Sequence, residues 1–262
     1  MTPRRRRPGA ILGGRAIIGC VVAASLLSAC AGDAADQAQV SAALEASTPT
    51  TFENDDGRAL AGRLFGPGDA SAGVVLAHGF SANQESWFPF ADRLGDEGYR
   101  VLTFNFRGYC PQGGGGCSEG QRSVEDAPAD LRSAIEALRA DGASRIAVVG
   151  SSMGGTASLL VAADDAVELV AVVAMSAPAQ FQGLAVGPDQ LAAIEEPKLF
   201  IAGTEDASAA ATAQAFFDSS LQPKRLEILT TGDHGAEILR GNQGEQARNA
   251  ILGWFDAYLA DA

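Results

Sequence analysis

Short, almost wholly apolar runs alternate with amphipathic stretches along most of this chain. Residues 74–77, 100–104, 146–149, 169–175, 198–202 and 226–229 carry few polar side chains at alternate positions. Such runs are predicted to be strands, residues 74–77 a buried one. Between them lie stretches of helical period. Residues 84–97 space Trp87, Phe90, Ala91 and Leu94 along one face, and residues 124–140 do the same with Leu131, Ile135 and Leu138. Residues 153–163, 209–218 and 245–260 complete the set. Ahead of the alternation, residues 51–53 and 59–65 flank the turn signal Asp55-Asp56-Gly57 and predict an antiparallel hairpin. Strands alternating with helices predict an α/β fold, with a mostly parallel central sheet covered by helices on both faces. In such sheets, sites form at the carboxyl ends of the strands.

The amino terminus follows a different logic. Arg4, Arg5, Arg6 and Arg7 precede a short apolar stretch over residues 17–29, the layout of an export signal. The stretch ends in Leu27-Ser28-Ala29-Cys30, which resembles a bacterial lipobox. That resemblance implies lipidation of Cys30 and cleavage just before it. The alternative is a plain secretory signal cleaved near Ala29 or Ala31. The expected organisation is a signal over residues 1–29, a flexible tether over 30–50 and a folded domain over 51–262. A short helix near residues 40–46 is compatible with the tether. The expected location is the outer face of the cytoplasmic membrane, or the medium if no lipid is attached.

Charge narrows the partners. The whole chain carries −13, and losing Arg4 to Arg7 and Arg15 with the signal subtracts five positive charges, giving −18. Such a surface repels nucleic acid and anionic headgroups, so membrane attachment is expected through the lipid. Of the four cysteines, Cys110 and Cys117 remain after Cys20 and Cys30 are set aside. In an exported protein this close pair is most simply a disulfide. Metal binding is the weaker alternative, since two cysteines without a nearby histidine make a poor site. No metal or organic cofactor is expected.

Candidate chemistry centres on Gly150-Ser151-Ser152-Met153-Gly154, a G-x-S-x-G held between a strand and a helix. The turn is tight, and glycine removes a Cβ that would meet backbone. A serine there needs a base, and the base needs an orienting carboxylate. The chain has two histidines. His234 follows the last strand and the serine, whereas His78 precedes the serine and suits a strand-end, loop-holding role. The acid is expected after a strand between Ser152 and His234. Asp206 in Gly203-Thr204-Glu205-Asp206 is the choice, with Glu205 and Asp233 as competitors.

Together His78-Gly79-Phe80, Phe106-Arg107-Gly108, the Ser152 pentapeptide, Gly203-Thr204-Glu205-Asp206 and His234 resemble the α/β-hydrolase superfamily, most closely its compact dienelactone-hydrolase-like members. The resemblance implies an oxyanion hole from the backbone N–H groups of Phe80 and Met153. Two departures stand out. Asn105 replaces the aspartate that relatives often carry before Phe-Arg-Gly, and a glycine run bracketed by Cys110 and Cys117 follows Tyr109. That loop either shapes the rim of the site or is a surface loop stapled for stability.

The stretch over residues 176–197 leaves room for one short helix near 188–194, so the cap is expected to be minimal and the site shallow. Phe181, Tyr109 and Trp87 are candidate lining residues, with core packing the alternative for Trp87. The reading is a serine ester hydrolase with a catalytic domain over 51–262, acting on small or polymer-attached esters. Alternatives are a peptidase or amidase of the prolyl-oligopeptidase-like branch and a non-catalytic binding protein on a hydrolase scaffold. The dienelactone reaction itself is disfavoured, because those enzymes use a cysteine nucleophile. The oligomeric state is left open.

Overall fold

A computed structural model describes residues 1–2, 21–111 and 114–259. The arginines at positions 4–7 and 15, and Cys20, lie outside the described residues, as does the side chain of Cys30. The chain divides into two compact units, Met1–Ala38 and Gln39–Ala262. Among the described residues no helix is long and apolar enough to cross a membrane.

The segment expected as a coiled tether is instead helical: α1 spans Val21–Ala46. It contains no proline and is rich in alanine, the strongest helix former, so local propensity favours helix. Near its end Ala43 is buried, and Val40 and Leu44 pack on the core. Arg63 closes the helix by donating from Nη2 to the Leu44 carbonyl at 3.2 Å and from Nε to Ser47 Oγ at 2.6 Å. These bonds satisfy a carbonyl that the helix end leaves orphaned.

Strands β1 (Thr48–Glu53) and β2 (Ala59–Phe65) form the predicted hairpin. Its turn is held by Asn54, whose side-chain oxygen accepts the N–H groups of Asp56 and Arg58, and Gly57 takes φ 70°. Then follow β3 (Ala72–Ala77), α2 (Phe88–Asp96), β4 (Arg100–Phe104), α3 (Ala127–Ala140), β5 (Arg145–Ser151), α4 (Met153–Ala162) and β6 (Ala171–Met175). A small pair, β7 (Gln180–Phe181) and β8 (Leu184–Ala185), precedes α5 (Pro188–Ala193). The chain ends with β9 (Lys198–Gly203), α6 (Ala207–Ser219), β10 (Lys224–Leu229) and α7 (Gly244–Tyr258).

Eight strands make one sheet in the order β1-β2-β4-β3-β5-β6-β9-β10. The pairs β1–β2 and β2–β4 are antiparallel and the rest are parallel. Strands β3, β6 and β9 are buried at every position, as strands covered by helices on both faces must be. One apolar cluster joins Val75, Val148 and Val172 to Leu131 and Leu159, and the other joins Val74, Val149 and Val173 to Leu94 and Phe255.

Two helices start later than their periodicity suggests. Residues 84–87 form a 3-10 turn whose N-cap Asn83 accepts the Glu85 N–H, and Pro89 then sits in the first turn of α2. Pro128 likewise occupies the first turn of α3. Proline is tolerated there because those N–H groups lack intrahelical partners.

Candidate active site

The site is assembled from the carboxyl ends of β3, β5, β9 and β10. At the end of β5 the chain reverses into α4, and Ser152 sits at the corner with φ 51° and ψ −116°. That backbone conformation is unfavourable for a residue with a Cβ and persists because its surroundings fix it. The Ser152 N–H donates to the Met175 carbonyl on the neighbouring strand at 2.8 Å. Glycine is required on both sides: a Cβ at Gly150 would run into the Gly154 carbonyl, and one at Gly154 into the Ala77 carbonyl. Met153 is the first residue of α4, so its N–H has no intrahelical acceptor.

His234 lies just beyond β10, and its Nδ1 is 2.5 Å from Asp206 Oδ2. The histidine side chain is 48% exposed and the aspartate 19%, so the pair is reachable from solvent yet anchored on one side. Asp206 also caps α6, accepting the Ala209 N–H through Oδ1 at 3.4 Å. The competing carboxylates point elsewhere. Asp233 Oδ2 accepts from the Thr231 hydroxyl at 2.8 Å, and Glu205 lies against Gly232.

Ser152 and His234 line the same cavity of about 340 Å³, together with Gly79, Phe80, Phe181 and Arg240. Gly79 approaches so closely that a Cβ there would stand 3.3 Å from the Ser152 Cβ. Phe80 meets Phe181 of β7 edge-on, with ring centroids 5.3 Å apart. Two residues expected along the substrate path lie elsewhere. Trp87 is fully buried in the core beside Phe90, on the inward face of its turn. Tyr109 is buried behind the Phe80 loop, where its hydroxyl donates to the Phe80 carbonyl at 2.8 Å. Neither lines the cavity.

His78 is fully buried, its ring edge-on to both Phe106 and Tyr109. Its Nε2 accepts the Phe106 N–H at 3.2 Å, which leaves Nδ1 as the protonated nitrogen, donating to the Gly79 carbonyl at 2.8 Å. Burial pushes its pKa down to about 4, with the Arg122 charge adding to the fall and the Gly79 hydrogen bond opposing it. The ring is therefore neutral in the fold where the unfolded chain would hold a proton. Stability conferred by the neutral ring is fully present above about pH 6.5 and is lost as pH falls toward 4. The loss amounts to on the order of 3 kcal/mol. Urea unfolding at graded pH should show that loss, and His78→Gln should remove about one proton from the slope in this window. An unchanged slope in the variant would place the acid sensitivity elsewhere.

The Phe106-Arg107-Gly108 segment is a scaffold. Arg107 is buried and donates from Nη2 to Asp130 Oδ1 at 2.7 Å, while its N–H reaches Asp130 Oδ2 at 2.9 Å. The guanidinium's hydrogen bond to Asp130 raises the arginine pKa above its ordinary value. Asn105 is an amide for a reason the structure makes plain. Its oxygen accepts the Gln84 N–H at 2.9 Å and its nitrogen donates to the Gly116 carbonyl at 2.8 Å, a donation that a carboxylate cannot make. Cys110 and Cys117 form a disulfide, and the Gly115 N–H within that loop donates to Glu85. The loop thus packs on the 3-10 turn, and none of its described residues lines the cavity.

Solved structures with the same architecture include the Pyrococcus furiosus esterase Pf2001, 20% identical with a TM-score of 0.71, covering 82% of this chain and 91% of that one. A dienelactone hydrolase from Anabaena variabilis is 20% identical with a TM-score of 0.66, over 82% and 98% of the two chains. A thermophilic esterase from Thermogutta terrifontis is 18% identical with a TM-score of 0.66, over 81% and 100%. A search of curated proteins by sequence found no match. Residues 74–258 match the profile described as the Alpha/beta hydrolase family. They begin in β3 and end with α7, taking in Gly150 to Gly154, Asp206 and His234, and the chain accordingly belongs to the alpha/beta hydrolase family.

Proposed function

We propose that this chain is a serine hydrolase that cleaves esters of small or accessible acyl groups through an acyl-enzyme. The observation that carries the reading is the shared cavity. Ser152, at a strained strand-to-helix corner, and His234, paired with Asp206, face one space. In this mechanism Ser152 Oγ attacks the acyl carbonyl while His234 Nε2 takes its proton and passes it to the leaving group. Asp206 holds the ring by Nδ1–H, so that Nε2 is the nitrogen free to accept. The N–H groups of Phe80 and Met153 receive the developing oxyanion, and water then releases the acyl group. Proteins of similar fold carry the name esterase, which agrees with the reading at the level of the fold.

The size of the site argues for small acyl groups. A cavity of about 340 Å³ stands at the low end of the range for ligand sites, roughly 300–1,000 Å³. The cap consists of β7, β8 and α5, and α5 has six residues. A series of p-nitrophenyl esters of graded chain length is expected to give the highest kcat/KM at short chains. A maximum at long chains would overturn the small-acyl reading. Turnover of p-nitroanilides exceeding that of the matched esters would favour an amidase.

A further inference from the structure

Ser151 precedes the nucleophile, and its own position has no chemistry assigned to it by the G-x-S-x-G pattern. Its hydroxyl is nonetheless directed. Ser151 Oγ accepts the Ala236 N–H at 3.0 Å, and Ser176 Oγ accepts the Gly235 N–H at 2.9 Å. Both serines are buried, 6% and 1% exposed. Ser151 ends β5 and Ser176 directly follows β6, strands that pair with Ser151 opposite Met175. Two hydroxyls from the centre of the sheet thus take the two N–H groups immediately following His234.

The backbone around them fits this task. Gly235 has φ 59°, and a Cβ on it would collide with Ser151 Oγ, so the loop is seated on the serine itself. Ser176 has φ 47°, a conformation disfavoured for a residue with a Cβ, and its own N–H is tied to the Ile201 carbonyl at 2.8 Å. The residues that follow, Ile238 and Leu239, are buried in the core. The imidazole therefore projects from a loop fixed to the strand that carries the nucleophile. Asp206 sets the ring's rotation from the side, and the two serines set the position of its backbone.

We propose that Ser151 and Ser176 are positioning residues that hold the His234 loop in register with Ser152. The catalytic part of the proposal rests on His234 being the base, and the positional part does not. Misplacing a catalytic group by about 1 Å costs about 10²-fold in rate. Ser151→Ala with Ser176→Ala is therefore expected to lower kcat for a short-chain p-nitrophenyl ester by about 10²-fold, with KM held within about twofold. Each single variant should fall between the double variant and the parent. Ser133→Ala removes a comparably buried hydroxyl, bonded within α3 at 3.1 Å, and should leave kcat unchanged.

The two histidines make an independent readout available. In protein labelled with ¹³C at histidine Cε1 alone, the Cε1–H spectrum holds one signal from buried His78 and one from His234. The double variant should shift or split the His234 signal and leave the His78 signal in place. A parental kcat together with a parental His234 signal would overturn the proposal. If the double variant does not fold, the single variants decide by the same two measurements. Loss of ester hydrolysis in every protein, the parent included, would count against the proposed function alone, because the spectrum still reports where the loop sits.

Discussion

Ser152→Ala is expected to lower kcat for short-chain esters by on the order of 10⁶-fold while leaving the protein folded. The magnitude follows from the way such sites work. Serine, base and acid act as a unit, and what survives loss of the serine is the rate that the oxyanion donors and substrate binding sustain alone. Alanine keeps the Cβ, so the unfavourable φ of 51° and the N–H bond to Met175 are unchanged. The adjacent Ser151 is not expected to substitute, although it also borders the cavity, because its Oγ is held by the Ala236 N–H. Labelling with a fluorophosphonate checks the same point covalently. The parent should acquire one adduct, on the peptide that contains Ser152, and the variant none. Retained turnover, or an adduct on the variant, would remove Ser152 from the mechanism.

The parts of this molecule that could be read from sequence are those dictated by local physics or by chain order. The central strands are legible because burial on both faces excludes polar residues, as in residues 146–149. The hairpin is legible from Asp55-Asp56-Gly57, since Gly57 occupies a conformation that glycine adopts freely. With two histidines in the chain, the search for a base is short.

What escaped depends on contacts far apart in sequence. Trp87 is legible only as a choice between pocket and core, and in the 3-10 turn that carries it the residue is buried in the core. Tyr109 sits in a loop by sequence and is buried because its hydroxyl finds the Phe80 carbonyl, 29 residues away. The helix over Val21–Ala46 escaped for a different reason. Its alanines favour helix, but its Asp, Gln and Ser residues read as a solvated tether, and the pattern lacks a continuous apolar stripe to mark a packed helix. Ser151 could not be assigned its hydrogen bond at all, because its partner Ala236 lies 85 residues downstream.

Asp206→Asn is expected to lower kcat by up to about 10⁴-fold with little change in KM. The carboxylate accepts from Nδ1 and so keeps the proton there, leaving Nε2 to receive the serine proton. An asparagine can turn its NH₂ toward Nδ1 instead, which makes Nδ1 the acceptor and moves the ring proton to Nε2. That tautomer cannot take a proton from Ser152. Capping of α6 distinguishes this change from simple unfolding, because an asparagine oxygen caps a helix about as well as an aspartate. The variant should therefore unfold near the parental temperature despite its low turnover. The neighbouring carboxylates supply the comparison. Glu205→Gln and Asp233→Asn should each remain near parental kcat, since Glu205 lies against Gly232 and Asp233 is occupied by the Thr231 hydroxyl. If Glu205→Gln falls as far as Asp206→Asn is expected to, the acid is Glu205. In that case the 2.5 Å approach of Asp206 to His234 is not the arrangement the enzyme uses in turnover.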